Sequence, residues 1–525
     1  MTIQTVIKEN AYFDSVTLMT ISTRANELAG VKTAMIGMGT DMNLEVIRNV
    51  GLYTPALDHV TTGDLLIVLD LDDQANSEEI LQQVDELFTK KKKTASSEVT
   101  YKTLDSALHE EPDAKLVVIS VNGKFAAREA HKALDQQKHV MLFSDNVTVD
   151  EELALKQKAH EKELFVMGPD CGTAIINGVG LCFANEVRSG DIGIVGASGT
   201  GSQEVSVQIH KYGYGISQLI GTGGRDLSAE IGGLMMLDGL MMLDGLDALM
   251  VDEQTKAILL ISKPPAPEVT EKILKKLAVS TKPVVIYFIG SEQTERKIDN
   301  VTFATSSLDA VQKVIQFSQT QEAETSLYQN PTGATLTAIQ QQQAPSQKFV
   351  RGLFCGGTLC DELLYALTEV SDDVYSNIHK IPERQLANPD HSQAHTLIDF
   401  GDDRFTEGRP HPMIDPTSRI TRILQEAKDP EVAVLALDFE LGYGSHENPV
   451  GVLAEALKEA KAIAKADGRE LAIIGYVLGT EEDPQDIHEQ RKILEDLEVL
   501  VVDSSHQLCE ATKTFVKGAN EHEQK

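Results

Sequence analysis

The chain has 525 residues, 42% of them apolar, with 80 acidic against 47 Lys and Arg side chains and a formal net charge of −33. So acidic a chain repels nucleic acid and anionic lipid, which excludes both as partners, and any phosphate-bearing ligand must be held by local N–H groups and helix dipoles. Five cysteines without a C-x-x-C pair do not make a disulfide framework and point to a reducing, cytoplasmic setting.

The N-terminal residues MTIQTVIKENAYFDSVTLM lack a basic segment followed by an apolar core, so no secretory signal is expected. Apolar runs then alternate with helical patterns: Ala34–Met38, Leu65–Leu71, Lys115–Val121, Val140–Phe143, Ile192–Val195, Ala257–Ile261, Pro283–Ile289, Val350–Phe354, Val432–Leu437, Leu471–Val477 and Val499–Val502. Continuous Val, Ile and Leu runs read as buried parallel strands, and the alternation predicts βαβ units and an α/β fold with mostly parallel sheets. None is long enough to span a bilayer.

The lysine run and small polar residues at 89–98 read as a solvated linker, and the Gln/Thr/Ala-rich stretch 318–347 as an extended connection. This divides the chain into an N-terminal α/β domain (1–95), a second domain (96–185), a third (186–320), a linker (321–345) and a fourth (346–525). The hexapeptide LMMLDG occurs twice, at 234–239 and 240–245, which reads as a lengthened helix whose methionines fill core.

The first chemistry-bearing segment follows the strand at 192–195. Ser198, Gly199, Thr200 and Gly201 open a helix, where free N–H groups, close backbone approach and hydroxyl donors suit an anion. No G-K-[ST] follows, so this is not a P-loop, and an ordinary capped turn is the plain alternative. The second segment has the same form: the strand at 350–354 runs into Gly356, Gly357 and Thr358. Cys355 and Cys360 flank it as small buried hydrophobes. A third stretch, GRPHPMIDP, places Arg409, His411 and Arg419 among Pro410, Pro412 and Pro416. Its cations could contact a phosphate or carboxylate, and His411 could serve as an acid, base or anion donor; a loop braced by internal salt bridges explains the same composition. Gly442–His446 could rim the same cleft. No histidine set has metal-ligand spacing, and no metal is expected.

In order, Met167-Gly-Pro-Asp-Cys-Gly-Thr173, the Ser198 turn and Gly221-Thr-Gly-Gly-Arg-Asp226 resemble the α subunit of succinyl-CoA synthetase over roughly residues 100–295. The Gly356 turn is similar to a glycine-rich turn of that enzyme's β subunit. The resemblance implies a Rossmann-like CoA-binding domain followed by flavodoxin-like succinyl-CoA synthetase domains. It assigns phosphate to Ser198, Gly199, Thr200, Gly201, Gly356, Gly357 and Thr358, and cofactor contacts to Asp170, Cys171, Gly223 and Gly224. The histidine that carries phosphate in that family has no counterpart, because the chain has no histidine from 211 to 378. GASGTGSQE, GTGGRDLSAEIGG, FCGGTLC and GRPHPMIDP together identify the chain as a member of the FdrA family of acyl-CoA-synthetase-like proteins. That membership implies a subunit of a multi-protein, oligomeric enzyme with phosphate as a substrate and CoA as a possible cofactor. It also implies an acyl or carbamoyl phosphate as ligand, as in the oxamate carbamoyltransferase of allantoin breakdown. An acid–thiol ligase and a non-catalytic scaffold are the alternatives.

Overall fold

The computed structural model describes every residue except 1, 9–10, 12, 14, 27, 50, 62, 73–74, 95–100, 234–240, 292–297, 320–332, 407–408 and 524–525. The chain separates into two compact units, residues 1–103 and 104–525.

The first unit is built on three strands, β1 (Thr2–Lys8), β2 (Val31–Met38) and β3 (Leu65–Leu71), in the order β1-β3-β2. Both pairings are antiparallel. The unbroken run LLIVLDL suggested a parallel strand, yet β3 is the centre of an antiparallel sheet. Its composition reflects cover on both faces. Leu65, Ile67, Leu69 and Leu71 pack with Leu18, Ile21, Ile80 and Val84, while Leu66 and Val68 pack with Leu44, Ile47 and Leu57. The lysine run expected in a linker lies in the helix Ser77–Thr94, and the remainder of that stretch falls outside the described residues.

The second unit opens with a parallel sheet of β4 (Leu116–Ile119), β5 (His139–Leu142) and β6 (Val166–Met167). A hairpin follows, β7 (Thr173–Ile176) and β8 (Val179–Cys182). Its two-residue turn is Asn177-Gly178, with φ of 51° and 76°, the positive values that match the twist of a hairpin. The hairpin joins β9 (Ser189–Gly196), β10 (Ile216–Gly221), β11 (Ala257–Ser262), β12 (Val284–Phe288) and β13 (Val301–Phe303) in the order β13-β12-β11-β9-β10-β7-β8. The last sheet holds β14 (Phe349–Phe354), β15 (Val374–Ser376), β16 (His395–Asp399), β17 (Val432–Glu440), β18 (Ala472–Leu478) and β19 (Leu500–Val502). Its order is β15-β16-β14-β17-β18-β19, and every pairing is parallel.

In each of the two large sheets the winding reverses at the strand that precedes a glycine-rich turn. From β9 the chain builds β10 on one side and β11 on the other; from β14 it builds β15 and β16 on one side and β17 on the other. Ligands of open α/β sheets bind at the C-terminal strand ends where strand order reverses, so both turns occupy such a position. Part of the stretch expected to be extended is helical instead: Gly333–Gln340 buries Leu336, and Gln340 Nε2 donates to Thr514 O at 3.0 Å. The first LMMLDG copy and Leu240 lie outside the described residues, while Met241 and Met242 are buried in the core around β9 and β11. Among the described residues no helix is long and apolar enough to cross a membrane.

Candidate functional site

Ser198 caps the helix Gly199–Lys211. Its backbone is extended (φ −144°, ψ 121°), and its Oγ accepts from Gly201 N at 3.1 Å. Beside this cap lies a cleft of about 170 Å³ whose lining includes Asp170, Cys171, Thr173, Ser198, Gly199 and Gly223. Its lining of a helix start, glycine backbone and hydroxyls is chemistry that suits a small anionic group. Gly223 has φ +88°, and a Cβ there would meet Pro169 O at 2.2 Å, so only glycine closes this wall. Gly224 sits beside the Asp170 carboxyl. The cofactor set drawn from the sequence therefore borders the same cleft as the Ser198 turn.

Two side chains deepen the polar character of this cleft. Thr173 Oγ1 is buried without a hydrogen-bond partner. Asp170 is exposed at the mouth of this cleft, and the protein packed around it, with Asp403 and Asp145 nearby, pushes its carboxyl up. The Cys171 thiol is pushed up chiefly by burial, which removes it as a nucleophile.

The second helix, Gly357–Thr368, meets the first head to head. Ser198 and Thr358 share a hydroxyl–hydroxyl hydrogen bond, and Thr358 N donates to Thr200 Oγ1 at 3.4 Å. Not all of the second turn is open to an anion, as its sequence suggested. Cys355 N and Gly356 N donate to the Asp438 carboxylate at 2.9 and 2.8 Å, so the Gly356 N–H is already engaged. Asp399 lies against Gly357, where an added Cβ would meet its Oδ2 at 2.6 Å. Burial raises the Asp399 carboxyl to about 7, against the opposing pull of Lys263 and the Gly401 N–H.

The three residues expected to act together in the GRPHPMIDP loop stand in three different settings. The Arg409 side chain is exposed. Arg419 is 2% exposed and committed to the fold: Nη1 reaches Cys355 Sγ at 2.7 Å, and Nη2 donates to Leu353 O and Asp438 O at 2.9 and 2.7 Å. It also pairs with the Asp438 carboxylate at 3.2 Å, so its positive charge is spent internally. His411 stacks near Phe183, with ring centroids 5.2 Å apart, and its Nδ1 accepts from Met413 N at 3.3 Å. The proton therefore sits on Nε2, close to Gly401. Burial pushes this imidazole down to about 4, so at neutral pH it is an uncharged N–H donor and not a cation.

The loop and the segment Gly442–His446 do share a rim. His446 N donates to Met413 O at 2.8 Å, and both segments line a second cleft of about 230 Å³ with Arg419 and Glu440. Burial and the neighbouring Asp438 raise the Glu440 carboxyl far above the usual carboxylate range. Cys355, Asp438 and Glu440 bring donor atoms within 4.8 Å of one another, a spacing a metal ion could use. Here the Arg419 guanidinium supplies the cation, between Cys355 and Asp438. Asp399, Asp438, Glu440 and Thr173 were not identified from sequence. The one available signal was the pair of acids closing an otherwise apolar run, LALDFE at 435–440.

Three family models match the chain: CoA-ligase over residues 353–515, CoA binding domain over 187–290, and "AllF, heavy metal-associated domain" over 1–103. The segment 1–103 contains no cysteine, so no thiolate metal site can form within it. YahF of Escherichia coli (strain K12) is 54% identical over 96% of the chain and 97% of its own length. Succinate–CoA ligase [ADP-forming] subunit alpha 1 of Archaeoglobus fulgidus is 28% identical, covering 36% of the chain and 62% of that subunit. Among solved structures, the apo dinucleotide-forming acetyl-coenzyme A synthetase 1 of Ca. Korarchaeum cryptofilum aligns at 15% identity and a TM-score of 0.33, over 81% of this chain and 88% of that one.

Proposed function

The chain belongs to the FdrA family of acyl-CoA-synthetase-like proteins, together with YahF, and from that premise we propose that it transfers an acyl group to or from phosphate, with carbamoyl as the acyl group. The observation that carries this reading is the abutment of the two helix starts at Ser198 and Thr358. Two positive helix ends that abut at Ser198 and Thr358 favour an anion beside them, and the cleft at the first of them offers the N–H groups of Gly199 and Thr200 to a phosphoryl group. The lack of any histidine from 211 to 378 suits direct attack by phosphate better than a phosphohistidine relay.

In the forward direction, a phosphate oxygen attacks the carbamoyl carbon of oxalurate. The carbon–nitrogen bond to the oxamate portion breaks, the departing nitrogen takes a proton, and carbamoyl phosphate and oxamate are released. Asp399, with its carboxyl near neutrality beside the second helix start, is placed to give that proton. The His411 Nε2–H is a neutral donor for a developing oxyanion.

A second reading, an acid–thiol ligase working with a nucleotide-binding partner chain, draws support from the CoA-ligase and CoA-binding matches. It is also supported by relatives that are ligase subunits, among them the sulfoacetate-CoA ligase subunit SqwL of Acholeplasma sp, 27% identical over 36% of the chain and 63% of its own length. One experiment separates the two. The protein, purified with the chains that accompany it, is given oxalurate and phosphate, and in parallel a carboxylic acid, CoA and ATP. Phosphate-dependent release of carbamoyl phosphate is expected. Thioester formation without phosphate-dependent cleavage would replace this reading by the ligase.

A further inference from the structure

Lys263 is absorbed neither by the sequence motifs nor by the core. It follows directly on β11, which pairs in parallel with β9 so that Ile261 lies opposite Gly196. Ala197 N donates to Ile261 O at 2.9 Å, which ties the start of Lys263's loop to the Ser198 turn. From there the side chain reaches the second helix, with Nζ 3.2 Å from Asp361 Oδ2. Its ammonium also lowers the carboxyls of Asp170, in the first cleft, and Asp399, against Gly357. Lys263 thus acts on an acid beside each of the two turns, Asp170 at the first and Asp399 at the second.

The pair it forms with Asp361 is unequal. The Asp361 side chain is 4% exposed, while that of Lys263 is 45% exposed. The Lys263 ammonium faces water and can turn to a second partner, while the buried Asp361 carboxylate needs another cation if it does. Lys380 stands behind it. Its charge also acts on Asp361 and Lys263, and its Nζ lies 5.9 Å from the Tyr365 ring centroid, so Asp361 keeps a cation nearby if Lys263 leaves. On a chain of net charge −33, backbone N–H groups beside two carboxyls need such a local cation before they can hold a dianion. The unpartnered Thr173 Oγ1 in the cleft at the Ser198 turn marks a further place where a ligand oxygen is accommodated.

We propose that Lys263 is a phosphoryl-binding residue: it exchanges Asp361 for the phosphoryl group seated on the Ser198 helix start. This rests on the phosphate reading given above and names a residue that reading did not include. Inorganic phosphate and an acyl phosphate present the same chemistry to it, and both serve as probes.

The test is equilibrium binding of inorganic phosphate, and separately of carbamoyl phosphate, to the full chain with its accompanying subunits. Lys263→Met is expected to weaken both probes by at least roughly tenfold, because a charge-assisted contact is lost, and to lower the melting temperature because the buried Asp361 carboxylate loses its ion pair. Lys263→Arg should restore part of the affinity. Asp361→Asn, which releases the lysine, should tighten phosphate binding, and it decides the matter if Lys263→Met fails to fold. Wild-type binding with unchanged affinity in Lys263→Met overturns the role of Lys263 and leaves the helix cradle standing. Weakening of carbamoyl phosphate alone overturns it as well, since the contact would then lie on the acyl part. A folded wild-type protein that binds neither probe overturns both this proposal and the phosphate reading beneath it.

Discussion

The hydroxyls of Ser198 and Thr358 hydrogen-bond across the gap between two helix starts, although 160 positions separate them in the chain. Each helix brings its positive end to this contact, so the arrangement gains from negative charge placed between them. Ser198→Asp supplies such a charge permanently. The substitution is expected to leave the unfolding midpoint unchanged or raised, because a carboxylate caps a helix well and interacts with its dipole by about 0.3–1 kcal/mol. Phosphate-dependent turnover should fall at least roughly tenfold, a cost of about 1.4 kcal/mol, since the anion space is filled. Ser198→Ala should show the reverse balance, with about 1 kcal/mol lost from the cap. Full turnover in a stable Ser198→Asp protein would make the turn a cap and nothing more.

Both helix starts were legible in the sequence because each is a local event: an apolar strand, a glycine-rich turn and a helix follow within about a dozen residues. Their meeting was not legible, since the strands that lead into Ser198 and Thr358 belong to different sheets. Arg419 shows the same limit. Its spacing from prolines and acids suits a ligand contact and a buried brace equally, and only the arrival of Cys355, Leu353 and Asp438 around it decides. The strand β16, HTLID, escaped notice because polar residues at both ends break its apolar run. The antiparallel β3 was read as parallel because burial on both faces leaves the same composition in either kind of sheet.

The different settings of the two arginines give opposite expectations. Arg419→Met removes one partner of a buried pair and leaves the Asp438 carboxylate uncompensated, which should destabilise the protein by about 3–5 kcal/mol. Arg409→Lys changes an exposed side chain and should stay within about 0.5 kcal/mol of wild type. Denaturant midpoints of the two variants check this. If Arg409 contacts the reacting anion, Arg409→Lys also loses most turnover while remaining folded, because lysine cannot make the planar fork. Intact turnover would remove Arg409 from the site.

His411 is expected to remain uncharged across the neutral range. Burial holds its folded pKa at about 4, below the ordinary 6.5, so between these values the unfolded chain binds a proton that the folded chain refuses. Its contribution therefore makes the protein less stable as pH falls from about 6.5 toward 4. The Cε1 proton resonance of His411 should not shift between about pH 6 and 8, and His411→Asn should soften the acid-side loss of stability. A midpoint near 6.5 in the resonance would contradict the neutral imidazole. Incubation with labelled acyl phosphate should likewise leave no acid-labile phosphohistidine, and a label on His411 would replace direct phosphate attack by a relay.

The junction that holds the two helix starts together carries its own pH signature. Glu204, on the Ser198 helix, is buried at the contact with β18, where Tyr476 OH donates to its Oε2 at 2.5 Å and Ser505 N to its Oε1 at 3.1 Å. Burial raises its carboxyl to about 7; the Tyr476 hydrogen bond opposes the rise and the nearby Glu362 charge adds to it. The sign follows from proton binding. Between the ordinary value of 4.5 and about 7 the folded protein holds a proton that the unfolded chain has released, so this group's contribution to stability declines as pH rises through that window and is level above it. Glu204→Gln mimics the protonated form at every pH. Urea midpoints measured from about pH 5 to 8 should therefore decline less steeply in the variant than in wild type, with the two curves diverging toward the alkaline end. Parallel curves would mean that Glu204 is already ionised at the junction, and the account of its burial would have to be given up.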